Sequence, residues 1–89
     1  MIHEFDATKN AANVTKHKGV SLADAENFEW NTCIIREDTR HSYPEQRFES
    51  VGYIGLRLHV MVFCNRNNVV RVISLRRANK REENRYAKT

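Results

Sequence analysis

The longest apolar stretch of the chain is Leu58–Cys64, interrupted only by His59, and its length predicts a β-strand over residues 57–64. The side chains of a strand point alternately to its two faces, so the segment divides into two sets. One face carries Leu58, Val60, Val62 and Cys64, and the other carries Arg57, His59, Met61 and Phe63.

Further strands follow from patterns of the same kind. A β-branched run predicts a strand over 69–75, and the asparagine-rich segment 65–68 predicts the turn before it, because asparagine tolerates a positive φ. Earlier strands are predicted over 47–53 and 32–36, with a polar loop over 37–45 between them. The glycines at 52 and 55 are expected to bracket the turn that follows the strand over 47–53.

Helices are predicted from the residues that would cap them. Asp6 suits the N-cap of a helix over 7–17. Ser21 with Asp24 resembles a capping box and predicts a second helix that ends near residue 29 or 30. Asn79 with Glu82 has the same spacing and predicts a last helix over 80–87. Residues 2–6 are predicted to form a short opening strand or an extended arm.

This order of elements predicts an α+β fold, with one domain over residues 1–89. Short connections make neighbouring strands antiparallel. We therefore expect an antiparallel sheet with the two N-terminal helices on one face, and an opposite face left partly open apart from the short C-terminal helix. A domain of this size has little room for a deep cavity, so an active site is expected in a shallow groove.

The charge is divided unevenly along the chain. Residues 1–45 carry five Lys or Arg against eight Asp or Glu, whereas residues 46–89 carry ten against three, within a formal net charge of +4. A basic C-terminal half favours a polyanionic partner such as nucleic acid. A solvated surface with a basic tail is the alternative.

Several classes of protein are disfavoured by missing patterns. The four histidines and two cysteines have no metal-ligand spacing, and neither a phosphate-binding glycine-rich loop nor a GxSxG motif occurs, so we expect neither metal nor cofactor. No apolar run reaches the roughly 18 residues that span a membrane. The N-terminus lacks a secretory profile, and Cys33 and Cys64 are expected to be reduced thiols, so we expect a cytoplasmic protein.

Arginines at strand ends are the main chemical candidates. Arg57 opens one strand, and Arg76 and Arg77 close the next, so a hairpin would bring them together at one edge of the sheet. Guanidinium groups bind phosphate oxygens and stay charged. They suit attack of a ribose 2′-oxygen on phosphorus, in which arginines stabilise the phosphorane, and a base and an acid move the protons. The expected product is a cyclic phosphate.

Other candidates have an ordinary structural alternative beside each functional role. His17, with Lys16, could be a base or a helix-end cap, and His59 could simply line its face of the sheet. Tyr86 could stack on bases, transfer a proton or pack the last helix. Glu45 is a candidate general base or an ordinary loop carboxylate. Glu45 and Arg47 begin a strand that would place them toward the opposite end of the sheet.

Four stretches of the chain resemble the BrnT family of type II toxins. Residues 5–21 resemble its D-x-x-K-x-x-x-N-x-x-K-H-x-x-V-S pattern, and residues 45–48 resemble E-x-R-F. The stretches over 57–63 and 71–82, with Tyr86, complete the ordered set. The sequence departs from the family at Leu56, where glycine is usual, at Cys64 and Asn65, which replace Thr and an acidic residue, and at Lys18, inserted in the K-H-G run.

The resemblance implies a RelE-like fold and a metal-independent RNA-cleaving toxin that inhibits translation. It implies a complex with a BrnA-like antitoxin, which supplies contact with DNA and silences the toxin in a hetero-oligomer. Arg57 and Arg76 are the arginines that match the family pattern, and Tyr86 follows by analogy with RelE. With Arg77 and His17 they form the expected catalytic set. The residues expected to bind RNA are Lys16, Arg47, Arg71, Lys80 and Arg81.

Two other functions remain open at this point. A non-catalytic module would bind RNA or an antitoxin and leave the RNA intact, with an affinity that falls with salt. A structural subunit of a repressor complex would pair its basic face with an acidic antitoxin segment, and would have no affinity for RNA once bound.

Overall fold

The computed structural model describes residues 3–89, and its elements follow the predicted order. The strands are β1 (His3–Glu4), β2 (Ile34–Glu37), β3 (Phe48–Ile54), β4 (Arg57–Arg66) and β5 (Val69–Arg77). The α-helices are α1 (Ala7–Lys16) and α2 (Lys80–Ala87), and two 3₁₀ helices span Leu22–Asn27 and Trp30–Thr32. The predicted opening strand over 2–6 begins at Ile2, which lies outside the described residues.

The strands form one five-stranded sheet in the order β1-β5-β4-β3-β2. The α+β class is confirmed, but the prediction of an antiparallel sheet is wrong for β1, which pairs in parallel with β5. Within residues 3–89, two residue pairs, His3–Val70 and Glu4–Arg71, make that contact. So short a strand has no pattern that fixes its direction. The other three strand pairs are antiparallel, as predicted.

The predicted caps form as expected. The Asp6 carboxylate accepts a hydrogen bond from the Lys9 N–H (3.0 Å) at the start of α1. The capping boxes of Ser21 with Asp24 and of Asn79 with Glu82 are both complete. These caps depend on residues three apart in the chain, which is why the sequence alone locates the helix starts.

The second predicted helix is a 3₁₀ helix. Leu22, Ala25 and Phe28, the last of them its C-cap, are buried and spaced three residues apart. A 3₁₀ helix has three residues per turn, so this spacing aligns the three side chains on one face. They pack into the core against one face of the sheet, with Met61, Phe63, Val70, Val72 and Leu75.

Gly52 lies inside β3 rather than at a turn, so its predicted role was wrong. A Cβ at this position would lie 2.6 Å from the Phe28 ring atom Cζ and 2.9 Å from Cys33 Cβ. The turn is instead made by Gly55, with φ +61°, and Leu56, which is 98% exposed. Gly52 is therefore required for close packing beneath the first 3₁₀ helix.

A methyl group at Gly52 is expected to destabilise the protein. We expect Gly52→Ala to lower the free energy of unfolding by about 1–3 kcal/mol, since either Phe28 or the β3 backbone must move. Urea unfolding measures this change. Gly19→Ala is a useful comparison, because a Cβ there has open space and meets only the cost of a positive φ. An unchanged Gly52→Ala midpoint would contradict the close packing.

The turn between β4 and β5 consists of Asn67 and Asn68, whose φ angles are 54° and 64°. Two successive positive φ values are typical of a type I′ hairpin turn. The prediction from the asparagine-rich segment is confirmed, although the turn is shorter than residues 65–68.

A β-bulge interrupts the β4–β5 hairpin. Phe63 is paired with Val72, but Val62 is paired with Ser74, so Ile73 is an extra residue in β5. Beyond the bulge, β5 side chains point to the face opposite the one that a regular ladder would give them. This change of face governs where the last arginines of β5 point.

The second face of the sheet is partly covered by α2, as predicted. The Tyr86 hydroxyl donates a hydrogen bond to the carbonyl oxygen of Thr32 (2.6 Å), and its ring packs edge-on against Tyr53. Beneath this layer lie the buried side chains of Leu58 and Val60. Within residues 3–89, no helix has the length and apolar character needed to cross a membrane.

Candidate nucleic-acid interface

The arginines predicted to converge are divided between the two faces of the sheet. Val60 is paired with Arg76, and His59 is paired with Arg77. Arg57, two residues before His59, therefore shares a face with Arg77 and points away from the face of Arg76. The prediction that Arg57 and Arg76 meet is wrong, and the bulge at Ile73 is the cause.

A different group of cations comes together at the edge of β5. Because β1 covers β5 only at Val70 and Arg71, the end of β5 is an open edge next to the C-terminus of α1. Side chains from both faces reach this edge and surround an open cavity of about 190 Å³. We call the residues that line it the basic cluster: Lys16, His17, Lys18, Arg76 and Arg77.

The end of α1 fixes three members of the basic cluster. Lys16 is the last helical residue and His17 is the C-cap. Lys18 and Gly19 both have positive φ, and the Gly19 N–H donates to the carbonyl oxygen of Val14 (2.8 Å). This left-handed turn provides a hydrogen-bond donor for a free carbonyl group in the last turn of α1. It also holds the side chains of Lys16, His17 and Lys18 beside the edge of the sheet.

The electrostatics of the cluster favour an anion. Of the residues that the structure describes, no carboxylate lies within 4.0 Å of the charged atoms of Lys16, Lys18 or Arg77. Burial, together with the positive charges of Lys16 and Arg76, lowers the pKa of His17 below its ordinary value of 6.5. The imidazole is therefore neutral near pH 7 and can accept a proton.

Arg76 is held by a carboxylate from α2. Its Nη1 and Nη2 atoms donate to the two carboxylate oxygens of Glu82 (2.7 and 2.8 Å), and Glu82 also accepts from the Asn79 N–H (2.9 Å). Hydrogen bonding raises the pKa of Arg76 and lowers that of Glu82. This fork fixes the guanidinium in one orientation beside His17. The sequence indicated Glu82 only as a cap, and its second role depends on the tertiary fold.

Tyr86 does not reach the basic cluster. It lines a separate cavity of about 110 Å³ between α2 and β2, with Ile34, Val51 and Arg85 among its neighbours. Its hydroxyl is engaged by Thr32. The structure therefore places Tyr86 in the packing of α2, which was the alternative to a role in proton transfer.

Glu45 and Arg47 lie at the other end of the sheet, as their strand position indicated. Glu45 accepts hydrogen bonds from Arg66 (3.1 and 3.2 Å), which lower the pKa of its carboxyl. Arg66 lies six residues along β4 from Val60, the partner of Arg76, which corresponds to about 20 Å. Glu45 therefore cannot act as a base at the basic cluster.

Five other predicted residues are also outside the cluster. Arg47 lies over the ring of Tyr43, with its guanidinium carbon 4.2 Å from the ring centroid. Arg71 forms an ion pair with Glu4 (3.4 Å) near the parallel β1–β5 contact. His59 is buried, with its Nδ1 atom 2.9 Å from the carbonyl oxygen of Arg57. Lys80 and Arg81 begin α2 and are both exposed.

Comparison with known proteins identifies a family to which the chain is similar. A family model described as the ribonuclease toxin, BrnT, of type II toxin–antitoxin systems matches residues 5–82. That range includes the whole basic cluster and Glu82. No curated protein sequence gives a significant match. Among the described residues, no three His, Cys, Asp or Glu side chains are grouped so that they could hold a metal ion.

Proposed function

Because the chain belongs to the BrnT family of ribonuclease toxins of type II toxin–antitoxin systems, we propose that it cleaves RNA at the basic cluster by attack of a ribose 2′-oxygen. The observation that carries this proposal is the convergence of Lys16, His17, Arg76 and Arg77 on one open cavity. A phosphodiester held there would lie beside both fixed positive charge and a neutral base.

The roles of the side chains follow from their charge. Arg77 and Lys16 would bind the non-bridging phosphate oxygens, and Arg76, oriented by Glu82, would stabilise the charge that grows on them in the phosphorane. His17 would take the 2′-OH proton. The new bond joins the 2′-oxygen to phosphorus, the bond to the 5′-oxygen breaks, and water protonates the leaving oxygen. The products are a 2′,3′-cyclic phosphate and a 5′-hydroxyl.

The first experiment tests cleavage and its independence of metal. Purified chain is incubated with single-stranded RNA in EDTA, and the new ends are identified. We expect cleavage that persists under chelation and leaves cyclic phosphate ends. Loss of cleavage in EDTA, with recovery on addition of a divalent cation, would contradict the proposed mechanism.

The pH dependence of cleavage tests His17. Its lowered pKa predicts that the rate is full at neutral pH and falls as the pH decreases through a value below 6.5, because the protonated imidazole cannot accept the 2′-OH proton. We expect His17→Ala to reduce the rate by about 10²–10⁴-fold and to remove this acidic limb. His41→Ala, in the exposed loop before β3, is the matched control and should leave the profile unchanged.

The cellular role follows from the family. We infer that the free chain degrades RNA in the cytoplasm and blocks translation, and that a BrnA-like antitoxin silences it and provides DNA binding for the complex. Expression of the chain alone in bacteria should stop growth and shorten RNA, and co-expression of the antitoxin should reverse both effects. Growth without RNA damage would contradict this role.

A binding-only function is the second candidate, and the Arg76–Glu82 fork is the observation that favours it. Both terminal nitrogens of Arg76 already donate to Glu82, which neutralises much of the charge that a transition state would need. A binding module would retain RNA in a salt-dependent manner and leave it intact under every condition of the cleavage assay.

A further inference from the structure

The outer surface of α2 carries a second concentration of positive charge. Arg81, Asn84, Arg85 and Lys88 line one shallow depression and are all exposed. Their spacing of i, i+3, i+4 and i+7 places them on one face of the helix. We call these four residues the α2 basic face. The sequence analysis included only Arg81 among them.

The rotation of α2 is fixed, so this face points to solvent. Glu82 and Tyr86, four residues apart, turn toward the sheet, where they bond to Arg76 and to the carbonyl oxygen of Thr32. The α2 basic face occupies the arc beside and behind this inward side. Its three cations have no carboxylate within 4.0 Å in the part of the chain that the structure describes.

The α2 basic face begins four residues after Arg77, the last member of the basic cluster in the chain. Only Ala78 and Asn79 separate Arg77 from the first residue of α2, and the Ala78 N–H is bound to the carbonyl oxygen of Leu58 (2.9 Å). The eight residues from Arg81 to Lys88 are separated by seven helical steps, so the positive charges extend over about 10 Å along the helix axis. An RNA strand bound in the cavity of the basic cluster could therefore extend along α2.

We propose that the α2 basic face binds the phosphate backbone of the RNA substrate on one side of the scissile phosphodiester. The inference rests on the proposed function. Arginine, lysine and asparagine side chains are all donors to phosphate oxygens, and the helix that carries them begins three residues after Arg77, which lines the cavity that would hold the reacting phosphate. The α2 basic face would contact phosphates and not bases, so the affinity that it adds is independent of the RNA sequence.

The composition of the face favours RNA over a docked protein segment. Protein interfaces depend on buried aromatic or aliphatic anchors, and none of the four side chains is apolar. Binding to a polyanion needs only charge and hydrogen-bond donors. An acidic antitoxin segment is the competing occupant, and the experiment includes it as an outcome.

The test measures binding with a probe that cannot be cleaved. The probe is a single-stranded 2′-O-methyl RNA oligonucleotide, which lacks the attacking hydroxyl, so its binding does not depend on the catalytic proposal. For Arg85→Gln/Lys88→Gln we expect the affinity for the probe to be about tenfold weaker at low salt. A plot of log affinity against log salt concentration should be less steep by about 1.4, which is about 0.7 for each lost phosphate contact.

The matched control is Arg66→Gln, which removes one charge at the far end of the sheet and is compared with Arg85→Gln alone. It should keep the salt slope of the parent chain. If the two single variants lose affinity equally, only net charge matters and the proposed path is wrong. If Arg85→Gln/Lys88→Gln binds the probe normally but no longer binds the antitoxin, the face is a protein contact and the proposal is overturned.

A cleavage assay separates this inference from the proposed function. A dinucleotide reaches only the basic cluster, so Arg85→Gln/Lys88→Gln should cleave it at the parent rate and lose kcat/KM only on longer RNA. If the parent chain cleaves neither substrate, the proposed function fails, and the binding result still decides the role of α2. Equal loss on the dinucleotide and on long RNA would overturn the extended path.

Discussion

Replacement of Arg76 by alanine is expected to lower the rate of RNA cleavage by about 10²–10³-fold. Arg76 is the only arginine of the basic cluster whose guanidinium is fixed by a two-point fork, and its charge also lowers the pKa of His17. Its loss would remove both a stabiliser of the phosphorane and part of the field that keeps the base neutral. Single-turnover cleavage of a defined RNA measures the change.

Arg76→Ala also leaves Glu82 without its partner, so a second variant is needed to separate chemistry from folding. Arg76→Ala/Glu82→Ala removes both members of the fork and relieves the unpaired carboxylate. We expect its stability to recover toward that of the parent, with the cleavage rate still low. Recovery of cleavage in the double variant would show that the unpaired Glu82 carboxylate, and not the loss of the Arg76 guanidinium, lowers the rate in Arg76→Ala.

Arg66→Ala is the surface control for the Arg76 series. Arg66 is also an arginine in an ion pair with a glutamate, but it lies at the far end of the sheet. Its replacement should change the cleavage rate by less than about twofold, since exposed pairs contribute little. A similar loss from both substitutions would indicate a dependence on total charge and not on the basic cluster.

Replacement of Asn13 by alanine is expected to have the largest effect on stability. The buried side chain donates to the carbonyl oxygens of Val20 (2.9 Å) and Leu75 (2.8 Å), and accepts from the Leu75 N–H (3.2 Å). Asn13→Ala would leave three buried backbone groups without partners. Each such group costs about 1–3 kcal/mol, and water that reaches some of them reduces the sum. We therefore expect the free energy of unfolding to fall by about 3–5 kcal/mol.

A loss of that size would remove much of the stability of so small a domain. Chemical unfolding followed by circular dichroism measures it. Asn13→Asp should be similarly destabilising, because a carboxylate cannot donate and would face two carbonyl oxygens. Asn84→Ala, at an exposed position on α2, should change stability by less than about 0.5 kcal/mol. A normal midpoint for Asn13→Ala would show that these bonds contribute little.

Local features of this protein could be predicted well from its sequence. The helix caps at Asp6 and Asn79, the asparagine turn and the two faces of β4 all depend on residues close together in the chain. The placement of Lys16 and His17 at the end of α1 is of the same kind. The positions of two of the five members of the basic cluster could therefore be predicted from local sequence alone.

The remainder depends on register, which no local pattern fixes. In a regular β4–β5 ladder, Arg76 would pair with His59 and would share a face with Arg57. The extra residue Ile73 moves Arg76 opposite Val60 instead. A β-branched run looks the same with or without a bulge, so the sequence could not reveal that Arg57 and Arg76 are separated.

The contact between Glu82 and Arg76 is also non-local in origin, although the residues are only six apart. It requires α2 to turn back across the sheet, which Tyr86 and the carbonyl oxygen of Thr32 help to enforce. The family resemblance identified Arg76 and Tyr86 as important positions. It did not indicate that one belongs to the cationic cavity and the other to the packing of the helix.

Asn13 has a further consequence for the behaviour of the chain in a crowded solution. A strand with free backbone groups is a template on which another chain can add a strand and begin to aggregate. Among residues 3–89, no strand pairs with the outer side of β5 beyond Arg71, and there the Asn13 amide engages both backbone groups of Leu75. The amide thus occupies the hydrogen-bonding groups that an added strand would use at Leu75. It hinders self-association at this edge of the sheet, which stays open to a polyanion.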